Sequence, residues 1–514
     1  MTNNKSDDIL FSNSNLKVIL PRRKKVLYFL LTLIFSFLAL ASWAFASPVG
    51  SSPDEDFHLA SIWCAYESDG FCESTAGEAK KVPFQIIESI CFAKDEKTSA
   101  ACQESMFQNG SERLLETSRG NFSTNYYPGI YYSFQHMFVS QDIELSVITM
   151  RLCNIFIFVL SSTIAWFLLT KKDKKYLLIG WFSIMIPLGA FTVASVNPSS
   201  WTITGTGIAF LSIVGLTQHA SKLRTSGFWA LLISAAILTL GARSDGAIYF
   251  AIACATGFLI RTRLNFKKIL LILLPIFAVS ALVFLASHGL ETALYGFGTN
   301  NSDSARSAVS VFANNIFSFP SLYLGSFGYW PLGWIDTRLP ELVWVSITVS
   351  VSGLMFAKIS KLSKKQLIIL GLVTFISVAT PLYLLQKSMS FVGEEIQPRY
   401  LLPFLVIIIF LILFSNSNEN FTLTNAQAFI FVSLIVSANA VSLYFNESRY
   451  IQGVGNGGNA NLNLSASHGG WWWVAGPSPM TNLLIGSISF GMIGIVIFWL
   501  LAKQKINEVV ASSQ

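Results

Sequence analysis

Residues 51–64 read Ser-Ser-Pro-Asp-Glu-Asp-Phe-His-Leu-Ala-Ser-Ile-Trp-Cys, which sets Asp54, Glu55, Asp56 and His58 directly behind an apolar run. Two carboxylates held side by side in a low-dielectric setting repel each other, so one drifts toward a raised pKa. Such a group can take a proton from a hydroxyl. His58 lies four residues after Asp54 and shares its face if the stretch is helical. Asp54, Glu55 and His58 could then ligate a hard divalent ion such as Mg or Mn. Pro53 fixes the backbone just ahead of the pair. The bland alternative is that acids after a membrane span solvate its exit, and Asp56 fits either reading.

The elements that must position these side chains are membrane helices. The chain has 514 residues, 52% of them hydrophobic and 12% charged, with a net charge of +7. Soluble domains carry about 25% charged residues, so the expected fold is an all-α polytopic membrane protein. About twelve stretches are long enough to span a bilayer as tilted helices. They fall near 26–46, 146–170, 176–195, 201–219, 227–242, 246–261, 269–287, 341–357, 366–386, 400–414, 424–445 and 481–502. The two around Asp245 are short enough to form a re-entrant pair instead.

Basic residues occupy every second junction: Arg22 to Lys25, Lys171 to Lys175, Lys222 with Arg224, Arg261 to Lys268, and Lys358 to Lys365. Only the 415–423 junction lacks them. An excess of Lys and Arg marks cytoplasmic loops. A cell-membrane protein with both termini cytoplasmic follows, with residues 1–25 and the tail of 481–514 inside. The loops 47–145, 288–340 and 446–480 then lie outside, separated by helices 146–287 and 341–445. Ala44-Phe45-Ala46 resembles a signal-peptidase site, but the apolar run from Val26 is longer than a usual signal core, which favours a retained helix. The short basic inner loops hold no glycine-rich phosphate cradle. An enzyme of this design works outside, without soluble ATP or a sugar nucleotide, and the basic charge implies no nucleic-acid partner.

Cys64, Cys72, Cys91 and Cys102 all fall in the first outer loop, as suits two disulfides in an oxidising compartment. Three pairings are open; Cys64–Cys72 with Cys91–Cys102 is preferred because short loops close at little entropic cost. Within the same loop "VPFQIIESICFA" and "YYPGIYYSFQHMFV" carry apolar faces at helical spacing. They suit either helices lying along the outer leaflet or a small core under the loop. No internal repeat relates the two halves.

The stretch "SPDEDFHLA" resembles a large bacterial membrane family of unknown function whose members carry an Asp-Glu pair and a histidine three positions on. "NYYPGIYY" (125–132) with Arg151, "LGSFGYWPLGWIDTRLP" (324–340) and "IQPRYLLPFL" (396–405) extend the resemblance in order. That family is similar to the GT-C superfamily of polyprenyl-phosphate-sugar-dependent glycosyltransferases, which place an acid in the first outer loop. The superfamily's His-Pro-Pro-Leu-Tyr-Tyr stands here as Tyr127-Pro128-Gly129-Ile130-Tyr131-Tyr132, without the histidine.

The resemblance implies a sugar carried on polyprenyl phosphate, an envelope polysaccharide or glycolipid acceptor, and a bilayer site. Asp54 is then the base, and Glu55 positions the acceptor or binds a metal. Arg399 and Arg243 are candidates to hold the lipid phosphate, or snorkelling interfacial cations. Arg151, inside its span, calls for a structural ion pair or substrate. Asp336 could contact sugar hydroxyls or pair with Arg338. Tyr131, Tyr132, His58 and Trp472 are further candidate substrate contacts, although the Trp471–Trp473 run also reads as an interfacial belt. The rival classes are a transporter or flippase of lipid-linked saccharides and a non-catalytic scaffold.

Overall fold

The computed structural model describes residues 22–66, 70–108, 113–122, 127–218, 221–261, 266–297, 306–414, 421–454, 462–466, 471–473 and 475–502. The expected inner segments 1–21 and 503–514 lie outside these residues. So do part of the 415–423 junction and of the loops 47–145, 288–340 and 446–480.

Each predicted apolar stretch folds as helix, but the helices differ in kind. Eight among the described residues are long and apolar enough to cross a membrane: Leu27–Phe45, Ile143–Leu168, Ser199–Leu216, Lys222–Leu240, Glu341–Ile359, Lys364–Lys387, Asn425–Gln452 and Pro479–Leu501. A ninth results if Leu270–Ala286 and Gly289–Tyr295, bent by 72°, count as one span. The expectation of about twelve is therefore not met by length and composition, for physical reasons that can be read locally.

The 176–195 stretch breaks into Lys171–Ile184 and Leu188–Val193. Pro187 at the break has no N–H to continue the helix, and a Cβ on Gly189 would meet the Ile184 carbonyl at 2.1 Å. Leu402–Leu413 is only 12 residues long and buried at every position. It is apolar all round because it forms the centre of the bundle, packed among Ser199–Leu216, Lys171–Ile184, Gly246–Arg261 and Lys364–Lys387. Of the two helices flanking Asp245, Lys222–Leu240 passes as a span, whereas Gly246–Arg261 is shorter.

Helix α1 (Arg22–Phe45) packs on Pro479–Leu501, Ile143–Leu168 and Leu188–Val193. After the linker comes the short helix α2 (Glu55–Trp63). The loop beyond it departs from the all-α expectation. Strands β1 (Glu73–Ser74), β2 (Lys80–Pro83) and β3 (Leu114–Thr117) form an antiparallel sheet in the order β1-β2-β3. Val82, Ile86 and Phe92 are completely buried, so "VPFQIIESICFA" supplies a small core under the loop. The disulfides join Cys64 to Cys72 and Cys91 to Cys102.

Candidate functional site

The linker from α1 to α2 is irregular, and its carbonyls need donors that no regular element supplies. Side chains from across the chain supply them. Arg151 donates to the carbonyls of Ala44, Ser47 and Pro48, and Asn446 to that of Ala46. Trp473 and Trp472 donate to Phe45, Gln103 to Val49, Trp334 to Gly50, and Tyr450 to Ser51. Asn197 and Arg399 both donate to Pro53. Asp54, the next residue, adopts φ 59° and ψ 21° as the N-cap of α2. That left-handed conformation is uncommon outside glycine, though aspartate tolerates it better than most, and the clamped linker holds it.

The three acids then point to three different environments. Asp54 keeps 41% of its side chain exposed; its Oδ2 accepts from Arg399 Nη2 at 2.6 Å, and Oδ1 lies 3.4 Å from Arg119. Burial pushes the Asp54 carboxyl up, but the surrounding charges, Arg399 foremost with its hydrogen bond, together hold the group below the ordinary carboxylate value. Asp54 is therefore an anion at neutral pH. Glu55 is fully buried, with Arg151 Nη2 3.1 Å from both its oxygens and the Ser52 N–H on Oε2. Asp56 receives Arg119 in a fork, Nε to Oδ2 at 2.6 Å and Nη2 to Oδ1 at 3.0 Å. It neither solvates the exit nor reacts; it braces Arg119.

Two expectations are corrected here. Glu55 does not stand ready to position an acceptor or hold a metal, because both its oxygens are engaged by Arg151 and the linker. Nor do Asp54, Glu55 and His58 form a ligand set: His58 is buried and hydrogen-bonded through Nδ1 to the Tyr132 hydroxyl at 3.0 Å. Among the described residues no three His, Cys, Asp or Glu side chains are grouped to hold a metal ion. Burial drives the His58 pKa to about 3 against the upward pull of Asp54, so the ring stays neutral.

Around Asp54 the chain gathers cations that the sequence scatters. Arg243 is forked onto Asp245 at 2.8 and 2.9 Å, with its guanidinium 4.7 Å from the Tyr400 ring centroid and 5.6 Å from that of Tyr127. Asp54, Arg399, Arg243 and Tyr400 all act on the Tyr127 hydroxyl. The site is thus one half-exposed carboxylate held by Arg399 and Arg119, with Arg243 joined to it through the rings of Tyr127 and Tyr400. On the Pro53 side of Arg399 lies a small cavity of about 30 Å³, lined in part by Ser52, Asn197, Trp330 and Arg399. Asp54 does not line that cavity.

Other candidates lie elsewhere. Asp336 is buried and pairs with Arg449 at 3.2 Å, not with Arg338, which reaches Glu96 at 3.4 Å. Arg449 also accepts no free role: it donates to the carbonyls of Phe92, Asp95 and Thr98, pinning the second disulfide loop to the Asn425–Gln452 helix. Trp472 is buried against Tyr450 rather than open to a sugar or forming a belt. Tyr131 is wholly buried beside Trp201, and Tyr132 backs His58. Arg119, Asp245, Tyr127 and Tyr400 were missed as members of the site. Tyr400 carried a signal in its place beside Arg399 and Tyr127 in its place in the 125–132 stretch, whereas Arg119 sits in an unremarkable polar loop.

Residues 37–408 match the family described as a predicted membrane protein (DUF2142). The chain belongs to this family. No curated protein and no solved structure matches it. The segment shared with the family holds Asp54, Glu55, Arg119, Arg151, Arg243, Asp336 and Arg399, whereas Arg449, Tyr450 and Trp472 lie past its end. Family membership and the span helices make this a polytopic membrane protein.

Proposed function

We propose that the protein is a GT-C-type glycosyltransferase. It transfers a sugar from a polyprenyl-phosphate donor to a cell-envelope polysaccharide or glycolipid acceptor at the outer face of the membrane. The observation that carries this reading is the ionised, half-exposed Asp54 carboxylate paired with Arg399 and Arg119 at the exit of α1. Two arrangements support the orientation. The disulfides suit an oxidising compartment on the Asp54 side. Basic residues such as Lys171, Lys172, Lys174, Lys175 and Lys358 cluster where helices begin or end away from it.

In the reaction, an acceptor hydroxyl gives its proton to Asp54 as its oxygen bonds to the anomeric carbon. The bond from that carbon to the phosphate oxygen breaks with its electron pair, inverting the centre. The departing phosphate needs cations more than a proton, and Arg243 and Arg399 offer planar forks that match it. A phosphate competing for Arg399 also relieves Asp54 of its strongest partner, raising its basicity when the donor is bound. Glu55 acts only through Arg151, as a positioning residue. Since Asp54, Glu55 and His58 do not fit a divalent ion, no step is assigned to one.

The test is transfer from a labelled polyprenyl-phosphate sugar in membranes containing the full chain. Asp54→Asn should abolish product while the protein still folds and inserts. Normal product from that variant removes Asp54 as the base and with it this mechanism. The flippase reading keeps one observation of its own. Glu447, in the Asn425–Gln452 helix, is fully buried with Asn482 on one oxygen and no partner for the other among the described residues. Ionisable groups within a span often mark a transport path.

A further inference from the structure

Arg243 and Asp245 stand two positions apart in the turn between the helices Lys222–Leu240 and Gly246–Arg261, and each holds the other. Asp245 takes Arg243 Nε on Oδ1 at 2.8 Å and Nη2 on Oδ2 at 2.9 Å, while Nη1 reaches the Ser199 hydroxyl at 3.3 Å. A carboxylate in that fork sits where a phosphate would sit, because both present a pair of oxygens that matches a guanidinium. Any anion that Arg243 is to hold must therefore displace Asp245 first.

The two partners differ in freedom. The Arg243 side chain is 11% exposed and lies against the rings of Tyr400 and Tyr127, 4.7 and 5.6 Å from their centroids. Tyr400 is held in turn: its carbonyl accepts from the Tyr249 hydroxyl at 2.8 Å, and its own hydroxyl accepts from Arg399. Asp245 is 32% exposed, so its carboxylate can turn into water without a large desolvation cost. Asp54 has no such freedom, because it caps α2 at the end of the clamped linker. Charge is balanced across the site. Arg399 and Arg119 are matched by Asp54 and Asp56, Arg243 by Asp245, and His58 stays neutral. Releasing Asp245 frees one positive charge. No second carboxylate among these residues can leave without taking away the proposed base or the brace on Arg119.

From this arrangement we infer that Asp245 is a specificity-determining residue: it occupies the Arg243 fork in place of phosphate and restricts the site to a ligand phosphate with a single negative charge. A phosphodiester replaces Asp245 one for one. A diphosphate diester brings a second charge that meets only arginines already matched, and an unpaired charge on the wrong ligand is what discriminates against it. The inference rests on the proposed reaction only in taking this ligand to be the sugar donor. The exchange of Asp245 for phosphate is a binding event and requires no transfer.

The experiment is equilibrium binding to the full chain in phosphatidylcholine nanodiscs. The probes are methyl farnesyl phosphate, with one negative charge, and methyl farnesyl diphosphate, with two. The parent protein should bind the monophosphate roughly tenfold or more tightly than the diphosphate. Asp245→Asn keeps the shape of the side chain and removes its charge. It should tighten diphosphate binding about tenfold and bring the two probes within about threefold of each other, a gain that a merely structural aspartate would not give. Asp245→Glu, which keeps the charge, should preserve the preference. If Asp245→Asn does not fold, combining it with Arg243→Gln restores neutrality, and monophosphate binding should then fall roughly tenfold or more with the preference lost. The inference is overturned if the parent binds neither probe or binds the diphosphate as tightly, or if Asp245→Asn leaves the ratio unchanged or weakens both. It is equally overturned if the double variant keeps the parent's preference. Selective binding by a chain that transfers no sugar would remove the proposed reaction and leave the role of Asp245. Equal transfer from monophosphate and diphosphate donors would do the reverse.

Discussion

Asp54 and Glu55 are neighbours in the chain with the same chemistry and opposite situations. Glu55 and its arginine are both closed off, with side-chain exposures of 0% and 1%. Asp54 holds a buried arginine but keeps 41% of its own side chain open. A carboxylate and a guanidinium sealed together have no third partner to act on, and their role is to fix the linker whose carbonyls Arg151 also holds. A carboxylate that shares its arginine with an open face can exchange that partner for a ligand. Exposure, not residue type, separates the clamp from the candidate base.

The largest effect expected from this contrast is on folding. Glu55→Ala leaves the Arg151 charge buried without its counterion and releases the linker, a loss of about 3–5 kcal/mol for a broken buried pair. Thermal melting and the yield of inserted protein measure it; a parent-like melt would erase the distinction between the two acids. Asp54→Asn should do the converse. Its melting point should stay close to that of the parent protein while transfer falls by at least roughly a hundredfold, the scale of a lost general base.

The pH dependence of stability sharpens the same boundary. His58 lies behind Asp54 with a folded-state pKa of about 3 against an ordinary 6.5. Between those values the unfolded chain binds a proton that the folded chain does not, so this contribution to stability is complete above pH 6.5 and is lost as pH falls toward 3. His58→Gln should flatten that part of the stability profile, measured by denaturant melts across the range. The smallest effect belongs to Arg119, half-exposed on Asp56. Arg119→Ala should cost about 1–3 kcal/mol in stability, because the Asp56 carboxylate it leaves unpaired is buried although the arginine is half-exposed. It should lower donor affinity more than turnover; a collapse in stability would show that the open face is as structural as the closed one.

How much of this was legible depends on how far apart the cooperating residues lie. Hydropathy is a property of consecutive residues, so the twelve apolar stretches contain helix, although the short apolar helix Ala308–Ser318 fell inside an expected loop; the preferred cysteine pairs, separated by 8 and 11 positions, were right for the same local reason. Eight or nine of the described helices, not twelve, are long and apolar enough to span; a segment such as Leu402–Leu413 is apolar because protein surrounds it, and composition alone does not distinguish that from lipid. The acid cluster was visible as a cluster, but the division of labour within it was not. Arg399 is 345 residues from Asp54 and Arg151 is 96 from Glu55, and Asp336 took Arg449 rather than the neighbouring Arg338.

The sequence by itself determined a membrane-embedded helical chain with an acidic segment at the exit of its first helix, since local apolarity and spacing suffice for that. Which acid is sealed, which stays open, and which arginine each receives were decided only by the packing of distant helices. An ion pair forms between the charges that the fold brings within about 3 Å in a shielded place, and no local pattern specifies that encounter.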